Sequence, residues 1–135
     1  MSEILRPESE DQLIDAIAWA AADSVPLEVI GRGTKREIGN PVDTSYILDL
    51  SGLRGITEYE PSELVMTARA GTPLSEIQQT IADHHQNLEF EPMDFARLFG
   101  QETNADGTNV GTIGGMVASG FAGPRRIKQG SVRDH

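Results

Sequence analysis

The segment Ile30-Gly-Arg-Gly-Thr-Lys35 (IGRGTK) decides the fold class, because two closely spaced glycines directly follow a short apolar run. That run, Leu27 to Ile30, comes after Pro26 and predicts a β-strand that ends at the glycines. Glycine accepts a positive φ and has no Cβ, so successive amides in such a turn can point into one anion-binding concavity. A tight turn without a ligand is the alternative interpretation.

Two common nucleotide-binding fingerprints are absent from this segment. The P-loop pattern GxxxxGK(S/T) does not occur in the chain. The Rossmann pattern GxGxxG fails because Arg36 stands where the third glycine is needed. We therefore expect neither a P-loop nor a Rossmann site.

Helical and strand patterns on both sides of the turn predict a mixed α/β chain. Ser9 and Gln12 have capping-box spacing and begin an amphipathic helix. Its apolar residues share one helical face and are Leu13, Ile14, Ile17, Ala18 and Ala21. Further strands are predicted over residues 46–50, 56–59, 64–69 and 88–90. Pro73 predicts the start of a second helix, which runs to about His84.

A second glycine-rich segment, GTIGGMVASG, occupies residues 111–120. An interior glycine costs a helix about 1 kcal/mol relative to alanine, so something else must require small residues here. Close approach to a flat ligand and close packing of two backbones explain the pattern equally well. The segment is compatible with a short helix or with a glycine-rich loop. Arg125 and Arg126, just beyond it, indicate either a phosphate or partner contact or an exposed basic turn.

Composition excludes several classes of function. With 21 acidic and 11 basic residues the net charge is −10, which disfavours nucleic acid as a partner. The absence of cysteine rules out a disulfide, an iron–sulfur cluster and a cysteine-ligated zinc site within this chain. The N-terminus lacks the features of a secretory signal, and no apolar run approaches the ~20 residues of a membrane span. These features suit a cytoplasmic protein, with any membrane association through partner subunits.

Four patterns together resemble one known family: IGRGTK (30–35), AGTPLSEIQQ (70–79), TIGGMVASGFAGPRR (112–126) and GSVRDH (130–135). They are similar to the FAD-binding domain of the vanillyl-alcohol oxidase (PCMH) type, and within it to the FAD-binding subunits of bacterial glycolate oxidases. The resemblance implies an α+β fold with an N-terminal α/β subdomain and the start of a second α+β subdomain. Residues 1–135 would then form one PCMH-type domain, C-terminally incomplete, with Arg133 to His135 entering a further strand.

The resemblance also implies the cofactor and its contacts. The first loop would wrap the FAD pyrophosphate through Gly31, Arg32, Gly33, Thr34 and Lys35. The later segments would line the same cofactor through Pro92, Asp94, Gly111, Thr112, Gly114, Gly115 and Ser119. Some relatives attach flavin through a histidine just after the GxG turn, and Thr34 in that place implies non-covalent FAD. The stretch from Phe95 to Val110 is longer and more polar than the family pattern. No catalytic or metal-binding residue is assigned, because the flavin carries the chemistry.

The implied function is FAD-dependent oxidation of a 2-hydroxy acid such as glycolate. The implied partners are a related flavin subunit and an iron–sulfur subunit of a glycolate oxidase-like complex, and we expect the isolated chain to be inactive. Two alternatives remain open at this stage. One is a non-catalytic scaffold subunit of the complex, and the other is the FAD domain of a D-lactate dehydrogenase-like flavoenzyme.

Overall fold

A computed structural model describes residues 2–103, 105 and 110–135 and confirms the mixed α/β prediction. The strands are β1 (Glu3–Leu5), β2 (Leu27–Ile30), β3 (Tyr46–Asp49), β4 (Ile56–Glu60) and β5 (Val65–Ala68). The helices are α1 (Glu10–Ala22), α2 (Leu74–Ala82), α3 (Phe95–Leu98), α4 (Ile113–Ser119) and α5 (Arg126–Gln129). Two 3₁₀ turns cover Leu50–Gly52 and Val132–Asp134. The predicted long connection of residues 95–110 lies partly outside the described residues.

A parallel three-stranded sheet in the order β1-β3-β2 carries the first glycine loop. The central strand β3 buries Ile47 and Leu48, and the edge strand β2 runs directly into Gly31. Strand β1 has three residues and pairs in parallel with β3. The sequence did not predict it, because a strand this short has too few residues to show a period.

Helix α1 begins as predicted, with the Ser9 side chain accepting a hydrogen bond from the Gln12 amide. The predicted apolar face is mostly not buried, since of its five residues only Leu13 is half-buried. Ala20 is buried, whereas Ile14 and Ile17 are 62% and 49% exposed, and Ala18 and Ala21 are exposed as well. The buried Ala20 and the half-buried Leu13 and Ala16 define the packing face of the helix.

The turn from Arg69 to Thr72 joins several parts of the molecule. The fully buried Thr72 hydroxyl donates to the Arg69 carbonyl over 2.6 Å and accepts from the Gly55 amide over 2.9 Å. A Cβ on Gly71 would overlap the Leu50 carbonyl oxygen, so only glycine fits. This turn therefore fixes the antiparallel β4–β5 hairpin against the chain that follows β3.

A second core, formed by Leu74, Phe90 and Met116, lies between α2 and α4. The strand predicted over residues 88–90 is wrong, since no strand forms there. Instead the Glu91 amide donates to the Leu88 carbonyl in a turn, and Glu91 has a positive φ of 49°. The apolar alternation that suggested a strand reflects two side chains packing into the core from a turn.

The chain from Ser131 to Asp134 is a capped 3₁₀ turn, which corrects the expectation of a strand beginning at Arg133. The Asp134 carboxylate accepts hydrogen bonds from the Ser131 amide (2.6 Å) and hydroxyl (2.9 Å). These bonds favour a tight turn over an extended chain. Within the described ranges, no helix has the length and apolar character that crossing a membrane requires.

Candidate functional site

A cleft of about 500 Å³ lies between the loop that follows β2 and helix α4. Seven of the predicted site residues line it, namely Gly31, Gly33, Thr34, Lys35, Thr112, Gly115 and Ser119. Its remaining wall includes Leu27 and Val29 from β2 and the side chains of Ile38 and Val42. The two glycine-rich segments, about 80 residues apart in the sequence, thus meet at one cleft.

The first glycine loop has the backbone geometry expected of an anion-binding turn. Gly33 has a φ of +69°, which a residue with a side chain rarely adopts. Within the described part of the chain, no acceptor takes a hydrogen bond from the amides of Gly33, Thr34 or Lys35. Thr34 is nearly buried and still lines the cleft. The loop therefore offers free donors where an anion can approach.

Gly31 is required for a different reason. A Cβ there would overlap the hydroxyl oxygen of Thr112, so Gly31 lets the first loop pack directly on the residue that caps α4. Gly31 and Thr112 both line the cleft, so the two glycine-rich segments touch at its wall.

Lys35 supplies the cation of the site. Its ammonium nitrogen lies 5.0 Å from the ring centroid of Phe95, and burial lowers the pKa of Lys35 below the usual lysine range. No carboxylate among the described residues forms an ion pair with it. Arg36, by contrast, makes two hydrogen bonds of 2.7 and 2.8 Å with Glu28. The charge of Lys35 therefore remains available to a ligand.

The second glycine segment forms helix α4, which settles the choice between helix and loop. The amide of Ile113 donates to Thr72, and that of Gly114 donates to Ala70, over 3.0 and 2.9 Å. The Gly115 amide is capped by the Thr112 hydroxyl at 3.2 Å. A Cβ on Gly114 would lie 2.7 Å from the Ala70 carbonyl oxygen, so this glycine serves backbone packing.

The other five predicted residues do not line the cleft. Arg32 is exposed, and the Gly111 carbonyl accepts a hydrogen bond from Leu74. Pro92 is half-buried, and the Asp94 carboxylate caps α3 by accepting from the Arg97 amide at 3.3 Å. Gly114, as described above, packs on Ala70. These residues shape the segments around the cleft rather than its surface.

Two features of the site were not found from the sequence. Phe95 had no signal, because its contact with Lys35 joins residues 60 positions apart. The alternation of Leu27 and Val29 on β2 could have indicated the apolar wall, since residues two apart share one face of a strand. Arg125 was left open as a phosphate contact, and its Nε donates instead to Glu91 over 2.6 Å. Among the described residues, no three His, Asp or Glu side chains are grouped to hold a metal ion.

The loop has amides and a lysine without acceptors or carboxylate partners among the described residues, and its backbone packs too closely for a Cβ at Gly31. These features fit the pyrophosphate of a dinucleotide. The fold and the cleft thus define a dinucleotide-binding α/β domain. Residues 2–135 match the family model described as "FAD binding domain", and the chain belongs to that family.

Comparison with known proteins agrees with this assignment. The chain is 43% identical over 122 residues to glycolate oxidase subunit GlcE of Escherichia coli (strain K12). The match covers 90% of this chain and 31% of that relative, so the chain spans less than a third of its length. Two crystal forms of alkyldihydroxyacetonephosphate synthase share the fold, with TM-scores of 0.69 and 0.72 at 16% and 18% identity. Each of these two matches covers 97% of this chain and 23% of the synthase chain.

Proposed function

We propose that this chain is the FAD-binding part of a glycolate oxidase-like oxidoreductase that acts on a 2-hydroxy acid such as glycolate. Membership of the FAD-binding family and the similarity to GlcE support the proposal. The single observation that carries the FAD site is the cleft where Lys35 meets the amides of the first loop, none of which has an acceptor or carboxylate partner in the described part of the chain.

In this proposal the two sides of the cleft have different roles. The amides of Gly33, Thr34 and Lys35, together with the Lys35 ammonium, would hold the pyrophosphate. Gly115 and Ser119 would lie along the cofactor, because both line the same cleft. Bound FAD supplies the redox chemistry, whereas the protein supplies binding, orientation and electrostatics. The five predicted residues outside the cleft would support these segments.

The partners in this proposal are a related flavin subunit and an iron–sulfur subunit. The name of the GlcE relative, a subunit of glycolate oxidase, supports an assembly of several chains. The absence of cysteine means that this chain cannot ligate an iron–sulfur cluster through thiolates, so electrons would leave through another chain. We treat residues 1–135 as one FAD-binding domain within that assembly.

A flavin titration tests the FAD site, and a dye-reduction assay on the protein isolated with its partners tests the reaction. We expect FAD to bind and glycolate to reduce the dye. Absence of FAD binding would refute the site and favour the non-catalytic scaffold subunit. FAD binding without turnover of any 2-hydroxy acid would refute the reaction.

The linkage between protein and cofactor has its own test. Thr34 has no imidazole with which to form a histidyl–flavin bond, so we expect acid precipitation to release all flavin into the supernatant. Yellow colour that stays with the precipitated polypeptide would contradict non-covalent binding.

A further inference from the structure

Lys35 lies on an aromatic ring that a distant segment supplies. Phe95, on α3, is 5% exposed and packs against Phe121 and Phe99, with ring centroids 4.9 and 6.1 Å away. These neighbours hold the ring in place under the Lys35 ammonium, whose nitrogen is 5.0 Å from the ring centroid. The ring under Lys35 is therefore itself buried and is contacted by two further aromatic rings.

A second contact ties the same two segments together. The Gln101 side-chain amide donates a hydrogen bond of 3.0 Å to the Glu37 carboxylate. Lys35 and Glu37 are two residues apart at the end of the first glycine loop, and both are held by the segment that begins at Phe95. The geometry of the loop thus depends on a segment about 60 residues further along the chain.

An aromatic ring beside Lys35 has a consequence that a carboxylate partner would not have. A ring face attracts a nearby ammonium electrostatically, and the attraction is stronger where the pair is desolvated. It adds no opposing charge, so the full charge of Lys35 remains for an anion. A salt bridge such as that of Arg36 with Glu28 would hold the side chain but neutralise it.

We propose that Phe95 is a positioning residue, which holds the Lys35 ammonium at the cleft so that it can bind the phosphate groups of the dinucleotide. This inference rests on the proposed function, in which the cleft binds FAD. Nothing in the first glycine loop itself would reveal the role of Phe95.

The first arm of the test measures the contact between the Lys35 ammonium and the Phe95 ring directly. The shifts of the Lys35 side chain are followed by NMR as a function of pH in the parent, Phe95→Leu and Phe95→Tyr. Leucine removes the ring face, so we expect the ring-current shift to vanish and the pKa of Lys35 to fall further. Tyrosine keeps a ring face, so the ring-current shift and the pKa of Lys35 should be close to those of the parent. Phe90→Leu is the matched control, because it shortens an equally buried ring that packs with Leu74 and Met116 and is not the ring under Lys35.

The charged residues on the segments that carry Lys35 and Phe95 and on the cleft wall are not changed by these variants. They are Arg32, Arg36 and Glu37 on the same loop, Glu28 on β2, and Asp94 and Arg97 at α3. Unchanged shifts and pKa of Lys35 in Phe95→Leu would overturn the proposal.

The second arm measures binding of FAD, riboflavin and inorganic pyrophosphate. We expect Lys35→Met to weaken FAD about tenfold or more, Phe95→Leu to weaken it roughly three- to tenfold, and neither to affect riboflavin, which has no phosphate. The FAD affinity of Phe95→Leu should also decline at a lower pH than that of the parent, because only the protonated amine attracts the anion. A purely structural role would weaken FAD equally at every pH.

The outcomes separate this inference from the proposed function. If FAD binds the parent but Lys35→Met binds it equally well, the inference fails while the FAD site stands. If FAD does not bind but pyrophosphate shifts the Lys35 signals in a Phe95-dependent way, the anion site stands and the proposed function fails. If neither ligand has an effect, both are wrong.

Discussion

The two glycine-rich segments have similar compositions but use their glycines differently. In the loop from Gly31 to Lys35, the last three amides have no acceptor in the described part of the chain, and Gly33 has a positive φ. In helix α4 the amides of Ile113, Gly114 and Gly115 are all bonded within the protein. One segment offers donors to a ligand, whereas the other uses its donors to dock a helix.

This difference explains why glycine density alone is an ambiguous signal. An unbonded amide needs an acceptor from a ligand or from water, and a bonded one contributes only to the fold. Gly114 resembles Gly33 in the sequence, yet it is small because Ala70 lies against it. The assignment of a glycine segment to a ligand therefore depends on its free amides.

The largest effect should come from Gly114→Val, which tests the packing role of α4. A Cβ there would lie 2.7 Å from the Ala70 Cβ and carbonyl oxygen, and backbone atoms cannot move aside easily. We expect unfolding free energy to fall by about 3 kcal/mol, the upper end of overpacking costs. Urea denaturation measures it, with Gly114→Ala as an intermediate case. A valine variant as stable as the parent would show that Gly114 is not required for packing.

The next largest effect should come from Gly33→Val, which tests the ligand role of the first loop. Valine at a φ of +69° costs about 1–2 kcal/mol of backbone strain, and its branched side chain would block approach to the amides. We expect FAD affinity to fall about a hundredfold, which is about 2.8 kcal/mol and therefore a larger loss than the loss of stability.

Gly120→Val is the matched control for that prediction. Gly120 has a φ of +62° and open space at its Cβ, and it does not line the cleft. It should lose similar stability and keep its FAD affinity. Equal affinities of the Gly33 variant and the parent would remove the first loop from the site.

A smaller effect is expected for Thr112→Val, which removes the cap of α4. The Thr112 hydroxyl accepts a hydrogen bond from the Gly115 amide, and losing such a cap costs about 1 kcal/mol of stability. Thr112→Ser keeps the hydroxyl and should keep the stability, as measured by thermal unfolding. If valine and serine have the same melting temperature, the cap does not stabilise the helix.

The sequence predicts features that are set locally. The strand ending at Ile30, the Gly33 turn and the Ser9 cap depend on neighbouring residues, and all three are present. Features set by distant contacts were missed or wrong. Each of these depends on a partner that spacing along the chain does not reveal. They are the packing face of α1, the contact of Phe95 with Lys35 and the contact of Gly114 with Ala70.

Residues 88–90 show a further limit of periodicity. Leu88 and Phe90 alternate as in a strand, but both contact the Leu74 and Met116 core from a turn. Alternation reports which side chains are buried, and it indicates a strand only where a neighbouring strand completes the hydrogen bonds.

The smallest effect is expected for Gly115→Ala. Gly115 belongs to α4 and also lines the cleft beside Lys35. Its Cβ would lie 3.2 Å from the Thr112 hydroxyl and 3.8 Å from the Lys35 ammonium nitrogen. Alanine gains up to about 1 kcal/mol of helix propensity, which the tight contact with Thr112 offsets, so we expect stability to change by less than about 0.5 kcal/mol. The added methyl narrows the cleft beside Lys35, so FAD affinity should fall roughly threefold, within the usual cost of overpacking. Gly114→Ala, one residue earlier, should show the reverse pattern, with lost stability and little direct effect on FAD. Parallel urea denaturation and FAD titration of the two variants measure both quantities. If Gly115→Ala changes stability more than affinity, α4 contributes only to the fold, and the ligand contacts belong to the first loop alone.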